Sequence, residues 1–398
     1  MRISTANAYD AGISTLTSRG ADLSAAQAQL ASQLRVSKPS DDPAAAARAE
    51  YALAGIQRSD TSQRAVDASQ IAMSQTETAM GDAGDLLQTA REALVAAGNA
   101  SYTDAERKTV ADQLQSIRDQ LLQVANRSDG AGSYLFGGQG ATQQPFVDAP
   151  GGVRFVATPG QSSTASSTAL PLSVDGSASW LSARTGNGVF VTSAGAGVTG
   201  AQIDNGRVSD PSALTGADYS VQFSVASGVT TYAVLKNGAP TAVTNAPYVS
   251  GPTIALDGMS FGISGTPANG DSFQIVPSTP TLSVFDTLDK AIADLSTPGR
   301  TGTQVAQANS DSLRNIDSVM STMQGARSLA GAELNRIDSE TDRIATQKLG
   351  SQTVRTNAVS LDMVEAISTV QNMQTGYDAA LKSYSMVQRL SLFDYLSG

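Results

Sequence analysis

The stretch ISTLTSRGADLSAAQAQLASQL, residues 13–34, decides how this chain folds. Ile13, Leu16, Gly20, Leu23, Gln27, Leu30 and Leu34 recur alternately three and four residues apart. That spacing is a heptad seam: one narrow apolar stripe on a helix, predicted over residues 5–34, that is polar elsewhere. Such a stripe needs a partner. Near the other terminus Met363, Ile367, Val370, Gln374, Tyr377, Leu381 and Tyr384 repeat the alternation. The two seams predict that the ends of the chain pair with each other or with other chains, and that the segments between them are what the pair carries.

Moving inward, Pro39 stops the first helix, because the residue before a proline is pushed out of the helical region. In Pro39-Ser40-Asp41-Asp42-Pro43, Asp42 reads as an N-cap and Pro43 as the first helical residue, where its missing N–H costs nothing. A metal site at Asp41 and Asp42 lacks a third ligand. From Pro43 towards Ala97, Val66, Met73, Met80, Leu87 and Leu94 recur every seven, with small Ser69, Thr76, Ala83, Ala90 and Ala97 three further on. Large-then-small layers imply close helix packing along a rod of about 80 Å. Thr103 and Glu106 form a capping box for a third helix carrying Val110, Leu114, Ile117, Leu121 and Val124 and stopping near Asn126. Helix returns with Val284, Leu288, Ile292 and Leu295 and breaks at Thr297-Pro298-Gly299. A long C-terminal rod then shows Leu313, Ile316, Met320, Met323, Ala330, Leu334, Ile337 and Ile344, with Gly350 as its interruption.

Between these rods, from Gly130 to about Pro280, Gly, Ser, Thr, Val and Pro dominate and helical periodicity disappears. Tyr219, Val221, Phe223 and Val225 alternate as a half-buried strand. Ser227-Gly228, Asn237-Gly238 and Asp257-Gly258 are two-residue hairpin turns, and Asn269-Gly270-Asp271 turns into Phe273 and Ile275. Residues 162–168 read as an exposed low-complexity loop. The expected fold is mainly α with a β insertion: a long antiparallel helical, coiled-coil bundle made from both termini, plus an inserted small β domain. Residues 1–42 with 355–398 form the terminal assembly domain, 43–140 with 281–354 the rod, and 141–280 the β insert.

Composition restricts function. The chain has no cysteine and no histidine, which removes disulfides, thiolate metal sites and imidazole mechanisms. A net charge of −10 with no basic run argues against nucleic acid and against an anionic membrane surface. No apolar run reaches the roughly 18 residues that a membrane span needs, and the start lacks a signal-peptide core. The protein is therefore expected to stay in the cytoplasm or to leave by a route that cleaves nothing. Gly130, Gly132, Gly137, Gly138 and Gly140 lack the Lys-Ser/Thr pair of a phosphate loop and read as a helix-to-β crossover. Asp204, Asp218, Asp257 and Asp271 sit beside Gly or in turn-like sequence and read as turn formers. Asn99-Ala100-Ser101 and Asn126-Arg127-Ser128 match a glycosylation pattern that is common by chance. No catalytic site, metal site or cofactor site emerges.

Several segments together resemble the flagellin family: Met1-Arg2-Ile3-Ser4-Thr5; Gln29-Leu30-Ala31-Ser32 with Arg35-Val36; Pro39-Ser40-Asp41-Asp42-Pro43-Ala44-Ala45; Asn126 with Gly132-Ser133-Tyr134-Leu135-Phe136-Gly137-Gly138; Gly265-Thr266-Pro267-Ala268-Asn269-Gly270-Asp271-Ser272-Phe273; Gly331-Ala332-Glu333-Leu334-Asn335-Arg336; Gln374, Tyr377, Ala380 and Leu381; and Ser391-Leu392-Phe393-Asp394-Tyr395-Leu396. The filament subunit typically lacks Pro at positions 39 and 43 and lacks Leu-Phe-Gly-Gly, so the resemblance is to the junction proteins between hook and filament, with a filament subunit as the alternative. The family usually has Gly-Lys where this chain has Gln33-Leu34, which predicts a slightly longer first helix here.

The resemblance implies a structural, non-enzymatic subunit exported through the flagellar apparatus without a cleaved signal and located outside the cell, at the hook–filament junction. It implies self-association into a ring, contact with the first junction protein and with flagellin, and an export chaperone at the C-terminal helix. The implied assembly interface is Ile13, Leu16, Leu23, Leu30, Leu34, Met363, Ile367, Val370, Tyr377, Leu381 and Tyr384, with Pro39, Asp41, Asp42 and Pro43 as a helix-turn cap. Two rivals of other classes are a secreted surface adhesin and an enzyme on a helical stalk.

Overall fold

The large-then-small layers of the second helix hold throughout. Val66, Met73, Met80, Leu87 and Leu94 are all buried, as are Ser69, Thr76, Ala83, Ala90 and Ala97. The computed structural model describes residues 2–165 and 168–396, with side chains described from Tyr9 to Met386. In chain order its helices are α1 (Arg2–Ser32), α2 (Pro43–Ala97), α3 (Asp104–Ala125), α4 (Gly176–Leu181), α5 (Val284–Ser296), α6 (Gly302–Val359) and α7 (Met363–Leu396). Its strands are β1 (Phe146–Ala149), β2 (Gly152–Phe155), β3 (Phe190–Ala194), β4 (Ala201–Ile203), β5 (Arg207–Val208), β6 (Tyr219–Ala226), β7 (Val229–Lys236), β8 (Ala239–Pro240), β9 (Ala246–Pro247), β10 (Thr253–Leu256), β11 (Met259–Gly265) and β12 (Ser272–Pro277). Two compact units result: residues 1–64 with 340–398, and residues 65–339.

In the first unit α2 and α6 run antiparallel. Lys348 pairs with Asp60 at 2.7 Å. A Cβ on Gly55 would lie 2.8 Å from Ser351 Oγ, so glycine sets that close approach. The first helix does not run on to Leu34. It ends at Ser32, because Gln33 adopts the left-handed conformation with φ of 59°. That geometry is easy for glycine and strained for other residues. Gln33→Gly is therefore expected to stabilise the end of α1 by about 0.5–1 kcal/mol, after allowing for the extra freedom of glycine in the unfolded chain. Slower amide exchange in the last turn of α1 is the check, and faster exchange would refute the strain argument. Gly350 interrupts nothing: α6 runs through it to Val359. An exposed helical glycine costs only about 1 kcal/mol. The break comes instead where Asp362 caps α7, accepting from the N–H groups of Val364 (2.9 Å) and Glu365 (3.2 Å).

The second unit has two separate cores. One is helical, from α2, α3, α5 and α6, and it also contains Leu135, Phe136, Phe146, Val153 and Trp180. The capping box at Thr103 and Glu106 opens α3 as expected. Trp180 stacks on Phe285 at 5.9 Å and 10°, with Phe136 edge-on at 5.4 Å. It reaches that position on α4, a short helix inside the stretch expected to be β, capped by Asp175. Gly176 must be glycine there, since a Cβ would meet the Phe136 carbonyl at 2.3 Å. Asn126 brackets the Phe146 peptide, donating to its oxygen (2.9 Å) and accepting from its nitrogen (3.0 Å). The amide that a glycan would occupy is thus part of the fold. The loop over 162–168 is also tied down: Thr164 is buried and pairs with Leu170, while Ser166 and Ser167 lie outside the described residues.

The other core belongs to the β module alone. A six-stranded antiparallel sheet (β3-β12-β6-β7-β8, with β9 on β7) and a four-stranded one (β10-β11-β4, with β5 on β11) share Tyr219, Val221, Phe223, Phe261, Ile263, Phe273 and Ile275. The three expected two-residue turns all form. Both central residues have positive φ at Ser227-Gly228, Asn237-Gly238 and Asp257-Gly258, the conformation that matches strand twist. The module with its own core is therefore narrower than 141–280. It starts near Phe190, and Leu135, Phe136, Phe146, Val153, Trp180 and Ala183 belong to the helical core.

Candidate assembly interface

Glycine and tyrosine bring the chain ends together. Gly12 leaves room for Tyr384, whose ring would lie 3.5 Å from a Cβ there, and Gly20 does the same for Tyr377 at 3.4 Å. Arg19 donates to the Gly376 carbonyl at 3.0 Å, and the Tyr9 and Tyr384 rings sit 5.5 Å apart. Contacts that rise along α1 while falling along α7 make the pair antiparallel. A hydrogen bond with Tyr9, followed by burial, pushes the Tyr384 hydroxyl up to about 12. It therefore stays a neutral phenol at physiological pH.

The pair covers only part of the expected interface. Leu16, Leu23, Leu30, Val370, Tyr377 and Tyr384 are half-buried. Ile13 (41%), Leu34 (37%), Met363 (37%), Ile367 (44%) and Leu381 (42%) remain exposed, as do Val364 (82%) and Met386 (61%). The half-buried positions of α7 include Ala366, Gly376 and Ala380, each one residue before an apolar residue of the expected seam or directly before Tyr377. Ala366 and Gly376 carry no apolar signal and Ala380 stands out only through the family resemblance, yet the logic of α2 applies here too: small side chains let helices close. The larger Ile367 and Leu381 are thereby rotated to the margin. What remains is a two-helix pair with an uncovered apolar flank.

A joint anchors this pair. Asp41 Oδ2 accepts from the N–H groups of Lys38 (2.8 Å) and Ser37 (3.0 Å) and from the Ser37 hydroxyl (3.0 Å). Asp42 Oδ1 caps α2 through the Ala45 N–H at 3.0 Å, and its Oδ2 takes Arg35 at 3.0 Å. The turn also contains Pro39, and Pro43 is the first residue of α2. The Lys38 N–H above all holds the Asp41 carboxyl below its ordinary 3.8, and the Ala45 N–H does so for Asp42, so both caps remain ionised through the neutral range. Arg35 also donates to the Ala358 carbonyl at 2.9 Å. The Arg35 N–H reaches Val359 (2.8 Å) and the Leu361 N–H reaches Gln33 (3.1 Å). The break between α1 and α2 is thus bonded to the break between α6 and α7.

Elsewhere Asp148 and Asp289 share the buried guanidinium of Arg118, and the acids of the β turns act singly. Asp204 accepts from Gly206 N–H and Asp271 from Ala268 N–H, both as turn formers, while the Asp218 backbone N–H donates to Asn237 Oδ1. Asp257 differs: besides its turn it takes Lys236 at 2.7 Å and the Tyr219 hydroxyl, a structural knot in the β module. Among the described residues no three acidic side chains converge as a metal site, and no helix is long and apolar enough to cross a membrane.

Two family models match the chain. Residues 3–141 fit the bacterial flagellin N-terminal helical region, and residues 191–277 fit the D2-like domain of flagellar hook-associated protein 1. The second match coincides with the β module. Flagellar hook-associated protein 3 of Salmonella typhimurium is 38% identical over 163 residues, which cover 38% of this chain and 48%, about half, of that protein. The protein of the same name from Escherichia coli is 25% identical over 398 residues, covering 99% of each. A crystal structure of Xanthomonas campestris FlgL superposes with a TM-score of 0.67 at 32% identity, covering 76% of this chain and 99% of that one.

Proposed function

Because the chain belongs to the FlgL family of flagellar hook–filament junction proteins, we propose that it builds a ring between the first junction protein on the hook side and flagellin on the filament side. The observation that carries this reading is the uncovered apolar flank of the α1–α7 pair. A two-helix pair leaving Ile13, Ile367, Leu381 and Val364 in water is under-buried by itself. Further copies stacked along the pair bury that flank, and junction neighbours above and below extend the same packing.

In this reading the subunit works outside the cell and arrives through flagellar export without a cleaved signal, its C-terminal helix held by an export chaperone until assembly. Its role is mechanical rather than catalytic. A filament-subunit role is less well supported, since the β module fits a domain of another hook-associated protein. Hooks from a strain lacking this chain are expected to carry no filament, with unpolymerised flagellin in the medium, and the gene supplied in trans is expected to restore filaments. Filaments of normal length on deletion hooks, seen by electron microscopy, would overturn the proposal.

A further inference from the structure

One face of α6 carries polar residues that read the backbone of the β module. Thr301 donates to the Thr199 carbonyl (3.0 Å) and Gln304 to the Val198 carbonyl (3.4 Å). Gln307 accepts from the Ile203 N–H at 2.8 Å. Arg314 donates to Asn205 (3.1 Å) and to Thr192 (3.4 Å). Asp311 orients two of these residues, taking Gln307 at 3.2 Å and Arg314 at 3.0 Å. Ser318 extends the row beyond the module, onto the Arg184 carbonyl at 2.5 Å. Offsets of three and four place all six on one helical face, a rail about 25 Å long.

No apolar core spans this rail: the helical core contains nothing from 190–277, and the β core contains nothing from α6. We infer that the rail is a release joint, from which the β module undocks as a folded body before either core opens. Hydrogen bonds between side chains and backbone exchange for water at little net cost, whereas opening a core exposes apolar area. The joint also holds polar groups under stress. Arg314 Nε is buried without a hydrogen-bond partner. Burial raises the Asp311 carboxyl above its ordinary 3.8, against the pull of Arg314. Lys290 and Asp294 of α5 also face that carboxyl, with opposite effects.

The connections suit a pivot. The module enters and leaves through neighbouring strands, with the Ser278 N–H on the Val189 carbonyl at 2.9 Å. Gly186 and Gly188 take positive φ beside them.

The absence of cysteine allows clean spin labelling of the full chain at Val229→Cys, the first residue of β7, and at Leu329→Cys on α6, both exposed. With the rail intact, electron–electron resonance is expected to give a narrow main distance. Gln307→Ala with Arg314→Ala is expected to make the distribution about twofold wider, while amide protection at Val221 and Ile275 stays at the parent level. An unchanged distribution would show that the rail does not hold the module. Broadening with lost protection at Val221 and Ile275 would show that undocking and unfolding are one event. Either result overturns the inference.

Discussion

Replacing residues 190–277 by two or three glycine and serine residues is expected to leave the helical melt cooperative and close to that of the parent, whereas replacing 141–280 abolishes it. The two excisions differ in what they take from the helical core. The shorter removes a complete β core and nothing else apolar. Val189 and Ser278 are already hydrogen-bonded neighbours, so a short link joins them without strain. The α6 side chains it uncovers, Gln304, Gln307 and Arg314, are polar and hydrate readily.

The longer excision also removes Phe146, Val153 and Trp180 from the helical core, where Phe146 and Trp180 both pack on Phe285 and Trp180 also meets Phe136. Losing one such aromatic ring costs about 3–5 kcal/mol. Two together approach the whole stability of a domain, about 5–15 kcal/mol. Circular dichroism melts of the two variants decide the matter. A cooperative melt after the longer excision would mean that the aromatic cluster is dispensable, and loss of the melt after the shorter one would mean that the β module supports the rods.

The contrast between these cuts also marks how far the sequence could be read. The rods were legible because their signal is periodic and local: Met73, Met80, Leu87 and Leu94 announce a buried face within their own helix. The hairpins were legible because Asn237-Gly238 and Asp257-Gly258 favour one turn conformation. The membership of Phe146 and Trp180 was not, because their partner Phe285 lies more than a hundred residues away and the elements that hold them, β1, β2 and α4, are too short to show a period. Composition over 130–280 is uniform in Gly and Ser, so it hid the change from helical core to β core near Phe190. The rail on α6 was illegible for another reason: polar residues at helical spacing read as a solvated face, and only the partner reveals their use. In the terminal pair the heptad signal found both helices but misjudged the rotation of α7. It counted large apolar residues: Tyr377 and Tyr384 do pack on Gly20 and Gly12, but Ile367 and Leu381 stay exposed while the small Ala366, Gly376 and Ala380 beside the seam are half-buried.

That rotation sharpens the expectation for Leu381→Asp. Leu381 lies between Tyr377 and Tyr384 but remains 42% exposed in the single chain. Substitution there removes little burial, and aspartate costs a helix only about 0.5 kcal/mol more than leucine. The isolated subunit should therefore melt within a degree or two of the parent. Assembly is another matter. If the uncovered flank is buried between copies, each contact loses the burial of a leucine, about 1.5–3 kcal/mol. Each contact must also desolvate an unpaired carboxylate, adding several kcal/mol more. A ring repeats that penalty at every subunit, so polymerisation should fail while export and monomer folding continue. Cells carrying the variant are expected to shed flagellin and to show bare hooks in the electron microscope. Ile13→Asp, at 41% exposure on α1, is expected to behave alike. A monomer melting several degrees lower would place Leu381 in the fold of the single chain, and normal filaments would place it on a face that stays in water after assembly.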